Sequence, residues 1–458
     1  MNTSTQPIRS VTEPSRQVPV FGEFDVVVLG GGPAGIAAAS AAARTGASTL
    51  LVEDYGFLGG MGTAAGVTNF CGLHANVYGR IEQVVHGVAD ELLDRMRRLG
   101  GLNEPHVLFG GRIAAQAYDN AAFKVAADET VLSAGASLLF HARAVGVIKE
   151  TPSRVSAVLI ETKSGRQAVV GRVFIDCSGD GDLAAQAGAL YEKGKDAAGL
   201  HDMMYPSTMF RVNGVDAVQA GDAWNHFGAL MKEAERRGRK FPRKTPIIRP
   251  QRNKTEWRAN VTQLANDDGS PIDGTDARQL SAAEVMGRKQ IIDFFSFLRE
   301  SAPGFQNAYL LEIAPQVGVR ETRRILGDYQ LTGEDVLQCA SFGDSIGVNG
   351  WMVEEHVAGD VVFQWQDIPN CRGFNHLPFR MLLPRGLDNL MVAGRCASMT
   401  HIGQSAARVS GGCFVMGQAA GTAAALALKA QLQPRALPVA ALQERLQMDG
   451  AYLGQDKR

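Results

Sequence analysis

Residues 25–35 read Asp-Val-Val-Val-Leu-Gly-Gly-Gly-Pro-Ala-Gly, and an alanine-rich stretch follows them directly. The apolar run predicts a buried strand, the glycines predict a tight turn, and the alanines predict a helix. A second apolar run, residues 49–53, ends in an acidic residue. A strand, a glycine turn, a helix and a second strand ending in an acid are typical of a dinucleotide-binding unit. In such a unit Gly30 would allow the tight turn, Gly32 would let the backbone reach the pyrophosphate, and Gly35 would let helix and strand pack closely. Glu53 would accept from a ribose hydroxyl.

Length and composition indicate the number of domains and the class of protein. The 458 residues, 45% of them hydrophobic, exceed the roughly 250–300 residues at which a single core usually divides, so we expect two domains. The net charge of −1 favours neither nucleic acid nor a membrane surface as a partner. Six cysteines without C-x-x-C spacing suit reduced thiols and no metal site. With no apolar run of about 18 residues, we expect a cytoplasmic protein.

The pattern along the chain predicts an α/β fold with a discontinuous Rossmann-type domain and an inserted α+β substrate domain. Composition changes near residue 203 and the buried-strand pattern returns near residue 389. We predict helices at 81–99, 115–133, 282–299 and 333–340, and strands at 137–147, 155–162 and 168–176. The predicted units are a flexible tail (1–22), a nucleotide-binding domain in two parts (23–202 and 381–432), the substrate domain (203–380), and a C-terminal helix and tail (433–458).

Three separated motifs, read together, resemble FAD-dependent oxidoreductases. The first is the opening unit with the loop Gly59-Gly60-Met61, the second is residues 317–327, and the third is residues 389–395 leading into Arg408 and Gly417-Gln-Ala-Ala-Gly421. The resemblance covers about residues 24–430, and it is to a bacterial family distantly related to fumarate reductase flavoproteins. It implies a glutathione-reductase-like fold that binds FAD. No histidine lies immediately before Gly59, so we expect non-covalent FAD.

The resemblance also implies which residues contact FAD. They are Gly30, Gly32, Pro33, Ala34, Gly35, Glu53, Asp54, Gly59, Gly60, Met61, Asp180, Gly394, Arg395, Val415, Met416 and Gly417. Two of these roles have alternatives. Gly417 and Gly421 lie four apart on a small-residue helix that can either present N–H groups to the flavin or pack closely on another helix. Asp180 or Asp182 can either bind sugar hydroxyls or cap a helix.

The chemistry predicted from these motifs is hydride transfer between FAD and a small organic metabolite. His74, His376 and His401 are candidates for proton transfer. Arg320 is a candidate carboxylate clamp, although Arg320, Arg323 and Arg324 can equally bridge the two domains through ion pairs. Because no second G-x-G-x-x-G follows a strand, the electrons would come from the substrate, from a redox partner or from transiently bound NAD(P)H.

Two other functions remain open, as does assembly into a homo-oligomer. One is an FAD-dependent monooxygenase, although Asp180-Gly181 lacks the Ser and Arg that follow this dipeptide in aromatic hydroxylases. The other is a flavin-binding assembly or sensor subunit without turnover.

Overall fold

A computed structural model describes residues 10–195 and 202–455. Outside the described residues lie the first nine residues of the predicted N-terminal tail, residues 196–201 and residues 456–458. The strands are β1 Val20–Leu29, β2 Thr49–Val52, β3 Asn69–Phe70, β4 His74–Val77, β5 Arg80–Gln83, β6 His106–Leu108, β7 Ile113–Ala117, β8 Ser137–Leu139, β9 Arg143–Thr151, β10 Arg154–Thr162, β11 Gly165–Asp176, β12 Tyr191–Glu192, β13 Phe210–Asn213, β14 Ile247–Pro250, β15 Trp257–Asn260, β16 Tyr309–Ile313, β17 Arg324–Ile325, β18 Ser345–Asn349, β19 Val353–Val357, β20 Asp360–Gln364, β21 Asn375–Pro378 and β22 Leu390–Val392. The helices are α1 Pro33–Arg44, α2 Met61–Ala64, α3 Val88–Arg98, α4 Asn120–Ser133, α5 Asp182–Gln186, α6 Ala217–Ala220, α7 Phe227–Arg236, α8 Ala277–Ser301, α9 Gly333–Leu337, α10 His401–Ala407, α11 Ser410–Lys429 and α12 Val439–Met448.

The main sheet has seven strands and confirms the predicted α/β class. Its order is β8-β2-β1-β11-β10-β9, and β22 pairs with the carboxyl-terminal part of β11. The strands β8, β2, β1, β11 and β22 are parallel, whereas β10 and β9 continue the sheet antiparallel. The strand β1 begins at Val20, so residues 20–22, predicted as tail, belong to this sheet. Short parallel strands of continuous apolar residues are typical of a Rossmann-type domain.

The helix α11 packs directly on α1 over this sheet. A Cβ built on Gly417 would lie 2.0 Å from the carbonyl oxygen of Ala34, and one on Gly421 would lie 2.0 Å from that of Ala38. The two helix backbones therefore touch, which only glycine permits at these positions. Among the described residues, α11 is the one helix long and apolar enough to cross a membrane, but 83% of its most apolar stretch is buried inside the protein.

A second core forms around an antiparallel sheet of order β14-β15-β13-β16. One face of this sheet carries Phe210, Trp257 and Ala259, which pack with α7 and α8 through side chains such as Phe227 and Phe297. Alternation along β15 turns Arg258 and Asn260 to the opposite face. This second face, the arginine face, lies toward residues of the first part of the chain.

Several predicted elements have different bounds in the structure. The predicted helix 81–99 is a strand followed by α3, because Gly87, at φ +77°, separates them. The predicted helix 115–133 begins only after Asp119, whose side chain accepts from the N–H of Ala122 and caps α4. The predicted strand 137–147 breaks at His141, which has a φ of +54°. Residues 317–327, the second motif, form a largely irregular segment that contains β17.

Candidate functional site

The parallel strands end together at one edge of the main sheet. In the register, Leu29 faces Val52 on one side and Asp176 on the other, and Asp176 faces Val392. Residues immediately after these positions therefore line a single edge. In open α/β sheets ligands bind in the crevice outside the carboxyl ends of the strands. This edge is the candidate cofactor site.

The acidic residue of the opening unit lies under the glycine turn. Glu53 is only 6% exposed, and its carboxylate accepts from the backbone N–H of Gly31 at 2.5 Å and of Tyr55 at 2.9 Å. Burial raises the pKa of Glu53, although these hydrogen bonds oppose the shift. A carboxylate held in this way retains lone pairs for a sugar hydroxyl, so its position fits the predicted ribose contact.

The start of α1 fits a bound phosphate. Gly32 is the N-cap and provides no side-chain cap, and Pro33 occupies the first turn. The N–H groups of this turn, including those of Ala34 and Gly35, point out of a helix end that favours negative charge. The sequence-predicted residues of this turn are thus together, and they suit the pyrophosphate of FAD.

The loop Gly59-Gly60-Met61 lies against this turn. The N–H of Gly59 donates to the carbonyl of Gly31 at 2.8 Å. Gly60 has a φ of +53°, and a Cβ on it would lie 2.8 Å from the Cα of Gly32. Two backbones thus meet without side chains between them, and Met61 begins α2 next to this contact. This backbone-lined cradle fits an extended dinucleotide.

The acidic residues near the edge differ in their surroundings. Asp54 forms an exposed ion pair with Arg143, whose Nε lies 3.0 Å from its carboxylate. Asp180 accepts from Arg395 Nη1 at 2.9 Å and from a threonine of the second motif at 2.7 Å. Asp182 pairs with Arg323 at 2.8 Å. The helix α5 has no side-chain cap, so neither aspartate serves as one, and both connect to the second motif or to Arg395.

The third motif divides into two parts. Gly394 follows β22 with a φ of +87°, and a Cβ on it would lie 3.0 Å from the Cβ of Ala34, so this residue borders the candidate cofactor site. Val415, by contrast, lies beside Gly347. Met416 is fully buried within α11, and Gly417 faces α1. For Gly417 the structure favours helix packing over the N–H contact with the flavin.

Two of the four predicted candidates for catalysis are linked through the second motif, because His401 contacts Glu321, the residue that follows Arg320. His401 Nδ1 is 2.8 Å from Glu321 Oε2, and its Nε2 is 3.4 Å from Glu355 Oε1. Burial lowers the pKa of His401, but the two carboxylates outweigh burial and raise it. Arg320 is 7% exposed and donates to the Tyr205 carbonyl at 2.6 Å. Arg320 therefore lies inside the protein. Of the three arginines of the second motif, Arg323 with Asp182 and Arg324 with Glu192 form the ion pairs between the predicted domains among the described residues.

The third predicted catalytic residue, His74, lies apart on β4. Burial and the nearby His86 lower its pKa, and its Nδ1 has no hydrogen-bond partner. His376, the other histidine considered, is bound to backbone: its Nδ1 accepts from the N–H of Phe342 at 3.2 Å.

The sequence interpretation missed a group of charged residues on and beside the arginine face. Arg243 is 3% exposed and donates to Asn260 Oδ1 at 2.9 Å, and Arg320 lies 3.4 Å from the same oxygen. His356 Nε2 is 3.2 Å from Glu354 Oε1. The alternation of Trp257, Arg258, Ala259 and Asn260 was the one available signal, because it indicates a strand with a polar face.

Comparisons with known proteins support FAD as the cofactor. A family model described as FAD dependent oxidoreductase matches residues 25–446. No curated protein matches the sequence. Among solved structures, a geranylgeranyl bacteriochlorophyll reductase-like protein from Thermoplasma acidophilum is 13% identical, with a TM-score of 0.48 over 94% of this chain and 84% of that one. Anhydrotetracycline hydroxylase from Streptomyces rimosus is 12% identical, with a TM-score of 0.44 over 93% of this chain and 65% of that one. Similarities of this size add nothing to the assignment of a reaction.

Proposed function

The chain belongs to the FAD-dependent oxidoreductase family, and we propose that it catalyses hydride transfer between bound FAD and a small organic metabolite. When bound, the flavin supplies the hydride chemistry. The strand-edge glycines and Glu53 would hold the ADP half, and the loop from Gly59 to Met61 would lie against the flavin. A more specific relationship to fumarate reductase flavoproteins stays a hypothesis.

The observation that carries this proposal is the contact between the glycine loop and the second core. The N–H of Gln316 donates to the carbonyl of Ala64 at 3.1 Å. Gly66 faces Ala314 and Met209, the residues that follow β16 and precede β13. The sheet with the arginine face therefore approaches the loop predicted to contact the flavin, and a substrate between them would be shielded from water.

His356 is the group best arranged to move the proton that accompanies the hydride. It lines a small pocket together with Tyr205, Arg243 and Arg320. Burial, and then the charge of Arg320, lower its pKa, which keeps the imidazole neutral. The pKa of Glu354 is also lowered, because His356 and Arg408 outweigh its burial.

The tautomer of His356 follows from this pair. An ionised Glu354 can only accept, so Nε2 of His356 carries the hydrogen and donates to it. Nδ1 is then the basic nitrogen of the neutral ring, and it is the atom proposed to take the substrate proton.

The experiment is an anaerobic screen of metabolites for loss of the oxidised-flavin colour, followed by stopped-flow rates with the active compound. His356→Gln should bind FAD normally and lower the rate of flavin reduction at least ~100-fold, in line with the usual contribution of acid–base catalysis. His226→Gln, at a 63% exposed side chain, is the control. An unchanged rate and pH profile for His356→Gln would remove this residue from the mechanism.

The same screen separates the rival functions. Incorporation of labelled oxygen into the product would assign a monooxygenase. A flavin that no metabolite reduces, in a protein that holds a stable partner, would assign a binding or sensor role.

A further inference from the structure

Four arginines from separate segments meet between the glycine loop and the second sheet. Arg243 and Arg320 share Asn260 Oδ1, and Arg258 lies two residues from Asn260 on the same face of β15. Arg408, at the end of α10, donates to the Glu354 backbone carbonyl at 3.5 Å. We call these four residues the arginine cluster.

Three of the four guanidinium groups of the cluster have nitrogens that lack a hydrogen-bond partner among the described residues. Nε and Nη2 of Arg243, Nε of Arg258 and Nε of Arg408 are buried nitrogens without an acceptor. The one side-chain bond of Arg258 is a weak contact of 3.8 Å from Nη1 to the sulfur of Met209. Buried donors in native proteins are almost always satisfied, so these four nitrogens indicate an acceptor that comes from outside the chain.

The charges of the cluster are also unbalanced. Among the described residues, the carboxylates that favour the charge of Arg243 are Glu354 and Asp360. Glu321, which acts on Arg408, already forms an ion pair with Arg324. Two carboxylates thus oppose four guanidinium cations.

Within the described part of the chain, no carboxylate is among the groups that favour the charge of Arg258, which is 6% exposed. The groups that favour its charge are Cys71 and Tyr118. Burial raises the pKa of Cys71 to about 12 and that of Tyr118 still further, so both are neutral. Its neighbour across the sheet on β14 is Arg249, another cation. A buried cation in such surroundings is costly unless an anion binds it.

We infer that the arginine cluster binds the substrate and that this substrate is a small organic dianion whose two anionic groups are separated along its skeleton. Arg258 would hold one group, and Arg243 with Arg320 would hold the other. The separation follows from the bonding, because Arg243 and Arg320 both contact Asn260 Oδ1, whereas Nη1 of Arg258 contacts the sulfur of Met209 instead. The inference rests on the proposed function, since it names the substrate class of the same site.

Binding can be measured on the FAD-loaded protein without turnover. The probes are saturated α,ω-dicarboxylates from malonate to adipate, propionate as the monoanion, and inorganic phosphate as a dianion with both charges on one centre. Titration calorimetry should give at least one dicarboxylate a Kd ten-fold or more below that of propionate. Equal, weak binding of all probes would overturn the inference, and a preference for inorganic phosphate would overturn the separation of the two groups.

Two variants distinguish a ligand-binding arginine from a structural one. Arg258→Gln should weaken the best dicarboxylate at least ten-fold and should raise the melting temperature of the ligand-free protein, because it removes a buried cation without a counter-charge. Arg237→Gln, at a 76% exposed side chain, is the control and should change neither. A lower melting temperature with unchanged dicarboxylate affinity for Arg258→Gln would show a structural role. Dicarboxylate binding without any flavin reduction would leave the inference intact while the hydride-transfer proposal fails.

Discussion

Substituting Gly417 by alanine tests the contact between α1 and α11. The new Cβ would lie 2.0 Å from the Ala34 carbonyl oxygen, whereas ordinary contacts begin at 3.4 Å, so the helices would have to separate by about 1 Å or more. Overpacking costs about 1–3 kcal/mol, and we take the upper end because the obstacle is backbone. Alanine recovers about 1 kcal/mol of helix propensity. The expected net loss of stability is about 2 kcal/mol.

Thermal unfolding of the FAD-free protein measures this loss. For folding units of 150–250 residues, 2 kcal/mol corresponds to a decrease of about 4–8 °C in melting temperature. The matched control is Gly228→Ala in α7, where a Cβ would meet no atom within 4 Å. It should leave the melting temperature unchanged or raise it, because the same gain in propensity then meets no steric cost.

The result that would refute this reasoning concerns FAD. If Gly417 contacted the flavin instead of α1, Gly417→Ala would weaken FAD binding in a fluorescence titration while the melting temperature of the FAD-free protein stayed the same. The packing interpretation predicts instead that Gly417→Ala lowers the melting temperature of the FAD-free protein.

Three further predictions concern carboxylates and one histidine. Glu53→Gln should weaken FAD binding by about 10–100-fold, consistent with the roughly 1.5–3 kcal/mol of a charged hydrogen bond. Glu161→Gln, at an exposed ion pair, is the control and should leave FAD binding unchanged. Equal Kd values for both variants in a fluorescence titration would contradict the ribose contact. Glu321→Gln removes the closer carboxylate of buried Arg324, which keeps Glu192 at 3.7 Å, and should cost about 3 kcal/mol, the lower end for breaking a buried ion pair. The surface variant Glu233→Gln should cost less than about 1 kcal/mol. Similar melting temperatures for the two variants would count against the buried pair. The pKa of His401 is raised from its ordinary 6.5, so the stabilisation that His401 contributes is complete below pH 6.5 and is lost as the pH rises through the folded pKa. The melting temperature of His401→Gln should therefore lie furthest below that of the unchanged protein at acid pH. A constant difference from pH 5.5 to 8.5 would argue against this linkage.

Local sequence was enough for the first β-α-β unit. The residues that place Gly30 to Gly35 and Glu53 are consecutive, so the apolar run, the glycines and the alanine helix all indicate the same geometry. Where a short strand leads directly into a helix, as at Ile113–Ala117 and α4, both segments are apolar, and periodicity does not separate them. The capping carboxylate of Asp119 marks the boundary, and it is visible in the sequence only when the strand before it is recognised.

The arginine cluster could not be predicted in the same way. Its four residues lie up to 165 positions apart in sequence. They come together only when the sheet of β13, β14, β15 and β16 forms and the glycine loop approaches it. A single arginine in a loop or strand usually reaches solvent. Gly417 shows the converse limit, because a small-residue helix has the same sequence whether its neighbour is a flavin or another helix.

The contact of α1 with α11 also orders events during synthesis. The residues that cover α1 are 366 positions beyond its last residue, and at translation rates of 5–20 residues per second they emerge about 20–70 s later. Throughout that interval α1 can pack on β1, β2, α3 and α4, but the face that α11 covers stays open. The dinucleotide half-site therefore forms early in synthesis, and its helix is fully covered only when α11 leaves the ribosome.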